Sequence, residues 1–183
     1  VTFGDDGKPV RMIGTVQDIT DRRKIETALI QSKEFNSAVL NSIEDHIAVL
    51  DRDGCILAVN ESWMRFAREN NADMGLIGTG VNYLDVCSQA SSDESSEDIE
   101  SVQGAIKLIH DVLSGSCASF TMEYPCHAPT RQRWFQMVAL PFKGAKGGVV
   151  IAHRDITKIK QSEIRLRQAN QQITRLKKRL AKE

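Results

Sequence analysis

Gly147-Gly148-Val149-Val150-Ile151-Ala152-His153-Arg154-Asp155-Ile156-Thr157 decides the fold of this chain. Two glycines mark a turn, the apolar run Val149 to His153 marks a strand, and Asp155-Ile156-Thr157 opens a charged segment with helical periodicity. The same order occurs once before. Gly7-Lys8-Pro9 gives way to the strand-like Val10-Arg11-Met12-Ile13-Gly14-Thr15-Val16, and Asp18-Ile19-Thr20 then leads into another helical pattern. A tripeptide recurs easily by chance, but the same tripeptide between the same two pattern types marks a duplicated unit. The chain is expected to hold one domain and, in residues 1–20, the closing strands of another.

Backwards from the quoted stretch, the period is two. Trp134 to Leu140 alternates, as do Phe120, Met122 and Tyr124 with Thr121 and Glu123, and the corner Pro125-Cys126-His127-Ala128-Pro129 separates the two runs. Further upstream, Ile47-Ala48-Val49-Leu50, Asp51-Arg52-Asp53-Gly54 and Cys55-Ile56-Leu57-Ala58-Val59 form strand, tight turn and strand. Between the two groups of strands lie helices and turns. Asn60-Glu61-Ser62 starts a short helix bearing Trp63 and Phe66, a Gly-punctuated stretch runs from Gly75 to Gly80, and Val81 to Cys87 suits short helices rather than strands. Ser88 to Glu100 is acidic and almost devoid of apolar residues, expected as a mobile loop or a frayed helix start. From Val102, the residues Ile106, Ile109, Val112 and Leu113 mark an amphipathic helix that Gly115 ends. Five strands split two and three around helices predict an α+β domain: an antiparallel sheet with its helices on one face, over residues 44–157.

A helix is expected on either side. Over residues 21–43, Ile25, Ala28, Leu29, Ser32, Phe35, Val39 and Ile43 recur at spacings of three and four, and Thr20 or Asp21 caps the first turn. Over residues 158–183, Ile159, Leu166, Ile173 and Leu180 repeat every seven residues, with Ser162, Ala169 and Leu176 three residues after the first three. That is a heptad seam, which needs a partner helix to cover it. Its roughly three heptads predict weak dimerisation unless a folded domain holds it in place. The basic run Arg175 to Lys182 raises a rival reading as a DNA-contacting helix. Leu176 and Leu180 carry the seam straight through it, so it reads as the solvated face of a coiled coil.

Composition excludes several classes. The 183 residues are 41% apolar, and 24 basic against 24 acidic side chains give zero formal net charge, so nothing points to nucleic acid or an acidic substrate. No targeting peptide or membrane span is evident. The chain starts at Val1 inside a strand pattern, expected for a fragment of something longer. Cys55, Cys87, Cys117 and Cys126 are dispersed as in a cytosolic protein with reduced thiols. No nucleophile elbow, phosphate-binding Gly-rich loop or His-Glu-x-x-His occurs, so catalysis within these residues is not expected.

This arrangement resembles a PAS domain, a sensory module of bacterial signalling proteins, over about Asn36 to Thr157. Asn60 after the hairpin and the closing Asp155-Ile156-Thr157 match that family. A subset of it is similar at Asn82-Tyr83-Leu84-Asp85-Val86-Cys87, Tyr124-Pro125-Cys126-His127 and Arg133-Trp134-Phe135. The resemblance implies a pocket between sheet and helices that passes strain to the helix leaving at Asp-Ile-Thr. It also implies a homodimer through the flanking helices and an output domain in the same chain: a histidine kinase, a diguanylate cyclase or an ATP-driven transcription activator. Asp18, Thr20, Asp155, Ile156 and Thr157 are then junction residues, which cap a helix or switch between sheet and helix bonding. The pocket would draw on Trp63, Phe66, Tyr83, Cys87, Ile106, His110, Phe120, Met122, Tyr124 and Trp134, a set equally read as plain core.

No cofactor is favoured. Flavin-binding relatives place a reactive Cys just after an Asn, whereas Cys87 lies five positions after Asn82; a buried structural thiol is the alternative. Haem-binding relatives place a His on the long helix before the third strand, and His110 lies on that helix, near its end, where it equally suits the helix dipole. Cys126 and His127, adjacent on an extended segment, point to opposite faces and are not expected to hold one metal. Redox sensing by Cys87 or Cys126, or a ligand-free scaffold for protein–protein interaction, are the competing readings.

Overall fold

The computed structural model describes residues 2, 3, 5–11, 14, 17–90, 96–127, 131–144 and 147–180. They form two units, Val1–Ala38 and Val39–Glu183. In the first, β1 (Thr2–Phe3) and β2 (Pro9–Arg11) pair antiparallel, with Thr2 opposite Arg11. Of the strand expected from Val10 to Val16, residues 12, 13, 15 and 16 lie outside the described residues. Helix α1 (Thr20–Asn41) follows, one residue from its expected start. Asp18 Oδ1 accepts the Thr20 N–H at 2.9 Å, filling one of the unpaired donors of a helix N-terminus. The apolar face of α1 is exposed, with Ile25 and Phe35 each at 69%.

The second unit carries β3 (His46–Leu50), β4 (Ile56–Val59), α2 (Glu61–Glu69), a 3₁₀ turn (Met74–Leu76), α3 (Tyr83–Ala90), α4 (Ser96–Leu113), β5 (Phe120–Pro125), β6 (Trp134–Pro141), β7 (Val149–Asp155) and α5 (Thr157–Leu180). The strands make one antiparallel sheet in the order β4-β3-β7-β6-β5. The hairpin turn is closed by Asp51 Oδ1, which accepts from Asp53 and Cys55 N–H. Gly148 is required where it stands: its φ is +140°, and a Cβ there would lie 2.0 Å from the Leu50 carbonyl oxygen. That close approach lets β3 pair with β7 along the whole of β3, from Leu50 opposite Val149 to His46 opposite His153.

One sheet face is the core. Ala48 and Leu50 of β3, Met137 and Ala139 of β6, and Val149 and Ile151 of β7 alternate inward, where Leu84, Ile109 and Val112 from the helices cover them. Two expectations are corrected, and for the acidic stretch the helix-start alternative fits its described part. β7 runs two residues past His153, because Arg154 and Asp155 still pair with Gln136 and Phe135. The acidic stretch is helical at both ends, in α3 up to Ala90 and in α4 from Ser96, leaving residues 91–95 outside the described residues. An acid-rich segment suits a helix start, whose dipole favours negative charge. His110 is exposed, because the inward face of α4 is taken by Ile109 and Val112.

Helix α5 leaves the sheet anchored by Lys160, which bridges Glu123 of β5 at 2.5 Å and Glu163 at 3.4 Å. Beyond that point its heptad residues face outward, Ile159 at 57%, Leu166 at 63%, Ile173 at 49% and Leu176 at 57%, with Ala169 exposed too. The side chain of Leu180 and residues 181–183, the end of the basic run, lie outside the described residues. Among the described residues no helix is long and apolar enough to cross a membrane.

Candidate functional site

Beyond Ile151, the inward alternation of β7 places His153 on the helix-covered face of the sheet, 8% exposed, between His46 of β3 and Met137 of β6. Rings gather around it. Trp63 of α2 lies 5.8 Å from the His153 ring and 5.9 Å from Tyr83 of α3. His46 packs on Phe66 at 4.5 Å, Phe66 meets Phe135 edge-on at 5.4 Å, and Tyr124 stacks on Phe135 at 6.0 Å. Two phenols address the imidazole: Tyr124 Oη lies 2.6 Å from Nδ1 and Tyr83 Oη 3.5 Å from Nε2.

The cluster borders two neighbouring cavities. One, of ≈ 220 Å³, is lined by Trp63, Phe66, Asn70, Ile77 and Phe135 among others; the second, of ≈ 290 Å³, by Cys87, Val102, Met122, His127 and Met137 among others. Tyr83, Tyr124, Cys126 and His153 line both. Arg133 lies beside the first: its guanidinium is 5.3 Å from the centre of the Phe66 ring, Nη1 donates to Asn70 Oδ1 at 2.8 Å, and Nε donates to the Cys126 carbonyl.

Burial sets the protonation here. It pulls His153 down to about 3, with the charge of nearby His46 acting the same way, so the imidazole is neutral at any physiological pH. It also lowers His46 and raises the Tyr83 and Tyr124 phenols. A neutral imidazole donates from one nitrogen and accepts at the other, so the Tyr124 bond and the role left to Nε2 are coupled. Burial raises Cys87 as well, against the opposing effect of its bond with Tyr83.

The sequence-predicted pocket residues separate into groups. Trp63, Phe66, Tyr83, Cys87, Met122 and Tyr124 line the cavities. Phe120 is core, and Ile106 packs against that core; neither reaches a cavity wall. Trp134 lies on the other sheet face, against the His127 ring at 5.0 Å, and its neighbour Phe135 takes the inward place. His110 is exposed and lines neither cavity, whereas Cys87 lines the second. Cys126 and His127 both line the second cavity, and His127 Nδ1 accepts the Arg133 N–H at 3.1 Å. His46, Phe135 and His153 went unread as pocket residues, although Val149, Ile151 and His153 share one strand face.

The junction lies next to this cluster. Asp155 Oδ1 accepts the Thr157 N–H at 2.8 Å, Thr157 Oγ1 accepts the Trp134 N–H at 3.1 Å, and the Trp134 carbonyl accepts the Ile156 N–H at 2.9 Å. Ile156 and Thr157 are buried. The two Asp-Ile-Thr copies share their local geometry, since Ile19 and Ile156 each accept from the N–H four residues on, at 3.0 Å. At the entry side Asn60, 1% exposed, caps α2. Its Oδ1 accepts from Ile47 and Trp63 N–H, and its Nδ2 donates to the carbonyls of Leu40, Ile43 and Asp45. Asp45 in turn takes a forked bond from Arg154, Nε at 3.0 Å and Nη2 at 2.8 Å, tying entry to exit.

Residues 40–161 match the family described as the PAS fold. Over 146 residues the chain is 43% identical to an uncharacterised 104.1 kDa protein from the hypE 3' region of Rhodobacter capsulatus; the match covers 79% of this chain and spans 14% of that protein. Among solved structures it is similar to the PAS domain of Bordetella pertussis BvgS, with 12% identity, a TM-score of 0.47, and 78% of this chain and 98% of that one covered. It is also similar to the PAS domain of an HTR-like protein from Haloarcula marismortui, with 20% identity, a TM-score of 0.44, and coverage of 73% and 99%. With a matching region from the end of α1 to the start of α5, a five-stranded antiparallel sheet, and a cavity under its helices, the chain belongs to the PAS domain family.

Proposed function

We propose that this signal-sensing module is a cytoplasmic, non-catalytic relay: occupancy of the cavity around His153 alters the Asp155-Ile156-Thr157 junction, and α5 carries the change to an output domain. The observation that supports it is the course of β7. One strand holds His153 in the cavity wall and, two residues on, Asp155 in the junction, while β6 places cavity residue Phe135 beside Trp134, which bonds both Ile156 and Thr157. A displacement of that wall strains bonds at the start of the helix. Exposed heptad residues on α5 support pairing with a second copy, which would bring together two output domains such as kinases, diguanylate cyclases or transcription activators.

Hydrogen exchange tests the coupling. Trp63→Phe changes the cavity from α2, far in sequence from the junction, and is expected to alter amide protection over residues 156–164. Ile109→Val, a comparable loss in the core away from the cavity, is expected to leave it unchanged. Equal protection in the two variants sinks the relay.

A further inference from the structure

We infer that the cavity pair selects an uncharged, flat aromatic ligand carrying a hydrogen-bond donor and acceptor side by side, read by His153 Nε2 and Tyr83 Oη. This rests on the proposal that the cavity is the sensing site, and adds the chemical class of what it senses. Size comes first. Volumes of ≈ 220 and ≈ 290 Å³ lie below the usual small-molecule range of about 300–1,000 Å³, which suits a ring or fused bicycle of about ten to fifteen heavy atoms. Shape follows from the walls, since Trp63, Phe66, Phe135 and the two tyrosines offer ring faces and edges that favour a planar partner.

Charge is decided by what is missing from the lining. Among the described residues, no Lys, Arg, Asp or Glu lines either cavity. Arg133 lies beside the first cavity rather than in its lining, with Nη1 donating to Asn70, Nε donating to the Cys126 carbonyl and its guanidinium over the Phe66 ring. A carboxylate or ammonium group entering here would lose its hydration without a counter-charge. The polar reading comes from the His153 triad. Tyr124 Oη holds Nδ1 at 2.6 Å, whereas Nε2 and Tyr83 Oη stand 3.5 Å apart, at the outer limit of a hydrogen bond. Tyr83 Oη can donate or accept, and Nε2 does whichever the Tyr124 bond leaves to it. A lactam, amide or hydroxy-substituted nitrogen heterocycle, with its donor and acceptor on adjacent atoms, bonds both in place of their own poor contact.

Calorimetric titration of the full chain with three probes tests this: 2-quinolinone, naphthalene and quinoline-2-carboxylate. The neutral lactam is expected to bind at least about tenfold more tightly than either of the others, the margin of one good hydrogen bond or one uncompensated charge. His153→Phe is expected to bring it down to the affinity of naphthalene. Tyr83→Phe, which removes a single hydroxyl and keeps the ring, is expected to weaken it several-fold, and guards against a misfolded His153 variant. Equal binding of lactam and naphthalene, tighter binding of the carboxylate, or no lactam binding overturns the assignment. Its failure is separable from that of the relay. A lactam that binds as expected without changing exchange at 156–164 breaks the relay and leaves the ligand class, whereas the Trp63→Phe result stands whichever probe binds.

Discussion

Asn60 and His153 are both buried polar residues with several partners, yet they respond to opposite tests. Asn60 serves five backbone groups from one amide, so Asn60→Ala takes the acceptor from the Ile47 and Trp63 N–H groups and the side-chain donor from the Asp45 carbonyl, while Leu40 and Ile43 keep other donors. The expected cost is about 2–4 kcal/mol, seen in urea unfolding as a lower midpoint at unchanged slope. For His153 the variable is pH. Its pKa falls from 6.5 unfolded to about 3 folded, so the unfolded chain binds the extra proton between those values. Stability is full above about pH 6.5 and is lost as pH falls towards 3. By pH 5 the loss from this group is about 2 kcal/mol, and the lowered His46 adds in the same direction. Measured between pH 7 and pH 5, above the carboxylate range, the wild type should lose more stability than His153→Phe. An equal loss would contradict a neutral buried imidazole.

Among the elements, the start of α5 is tied to the sheet through one residue. Thr157 is at once the first residue of the helix, the recipient of the Trp134 N–H and the donor to Asp155. Thr157→Val keeps shape and burial but removes the hydroxyl, leaving the Trp134 N–H without its acceptor. The expected loss is about 1–2 kcal/mol of unfolding free energy, with faster exchange of the Trp134 amide. A β6 amide that stays protected would mean that the sheet does not depend on the helix cap. The Arg154–Asp45 fork is a weaker tie, because Arg154 is mostly exposed and water screens the pair.

Across the whole molecule the unusual feature is how much apolar surface the flanking helices expose. Leu166 at 63% and Leu176 at 57% are ordinary in a coiled coil and uneconomical on an isolated helix. Sedimentation is expected to show a concentration-dependent dimer that Leu166→Arg converts to monomer while the sheet domain stays folded by circular dichroism. A wild type that remains monomeric at about 100 µM, well above the micromolar range of a modest interface, would remove the basis for paired outputs.

Element order was legible from the residues because each element has its own period. Alternation marked β5 and β6, spacings of three and four marked α1 and α4, and a seven-residue repeat marked α5. The sequence puts the cap of α1 at Thr20 or Asp21, whereas Asp18 provides it, as Asp155 does at the second Asp-Ile-Thr. Face was another matter. Trp134 and Phe135 are both aromatic and adjacent, so a period of two says that one points inward without saying which, until pairing with β5 and β7 sets the register. His110 and His153 show the same division. A histidine on an amphipathic helix attracts attention and one at the end of an apolar strand does not, yet the packing of α4 turned the first to solvent and the sheet carried the second into the cavity wall. The sequence by itself determined the strands, the helices and the exits between them; the tertiary structure decided which side chains meet, because long-range pairing brings together residues whose chemistry is silent when they lie far apart along the chain.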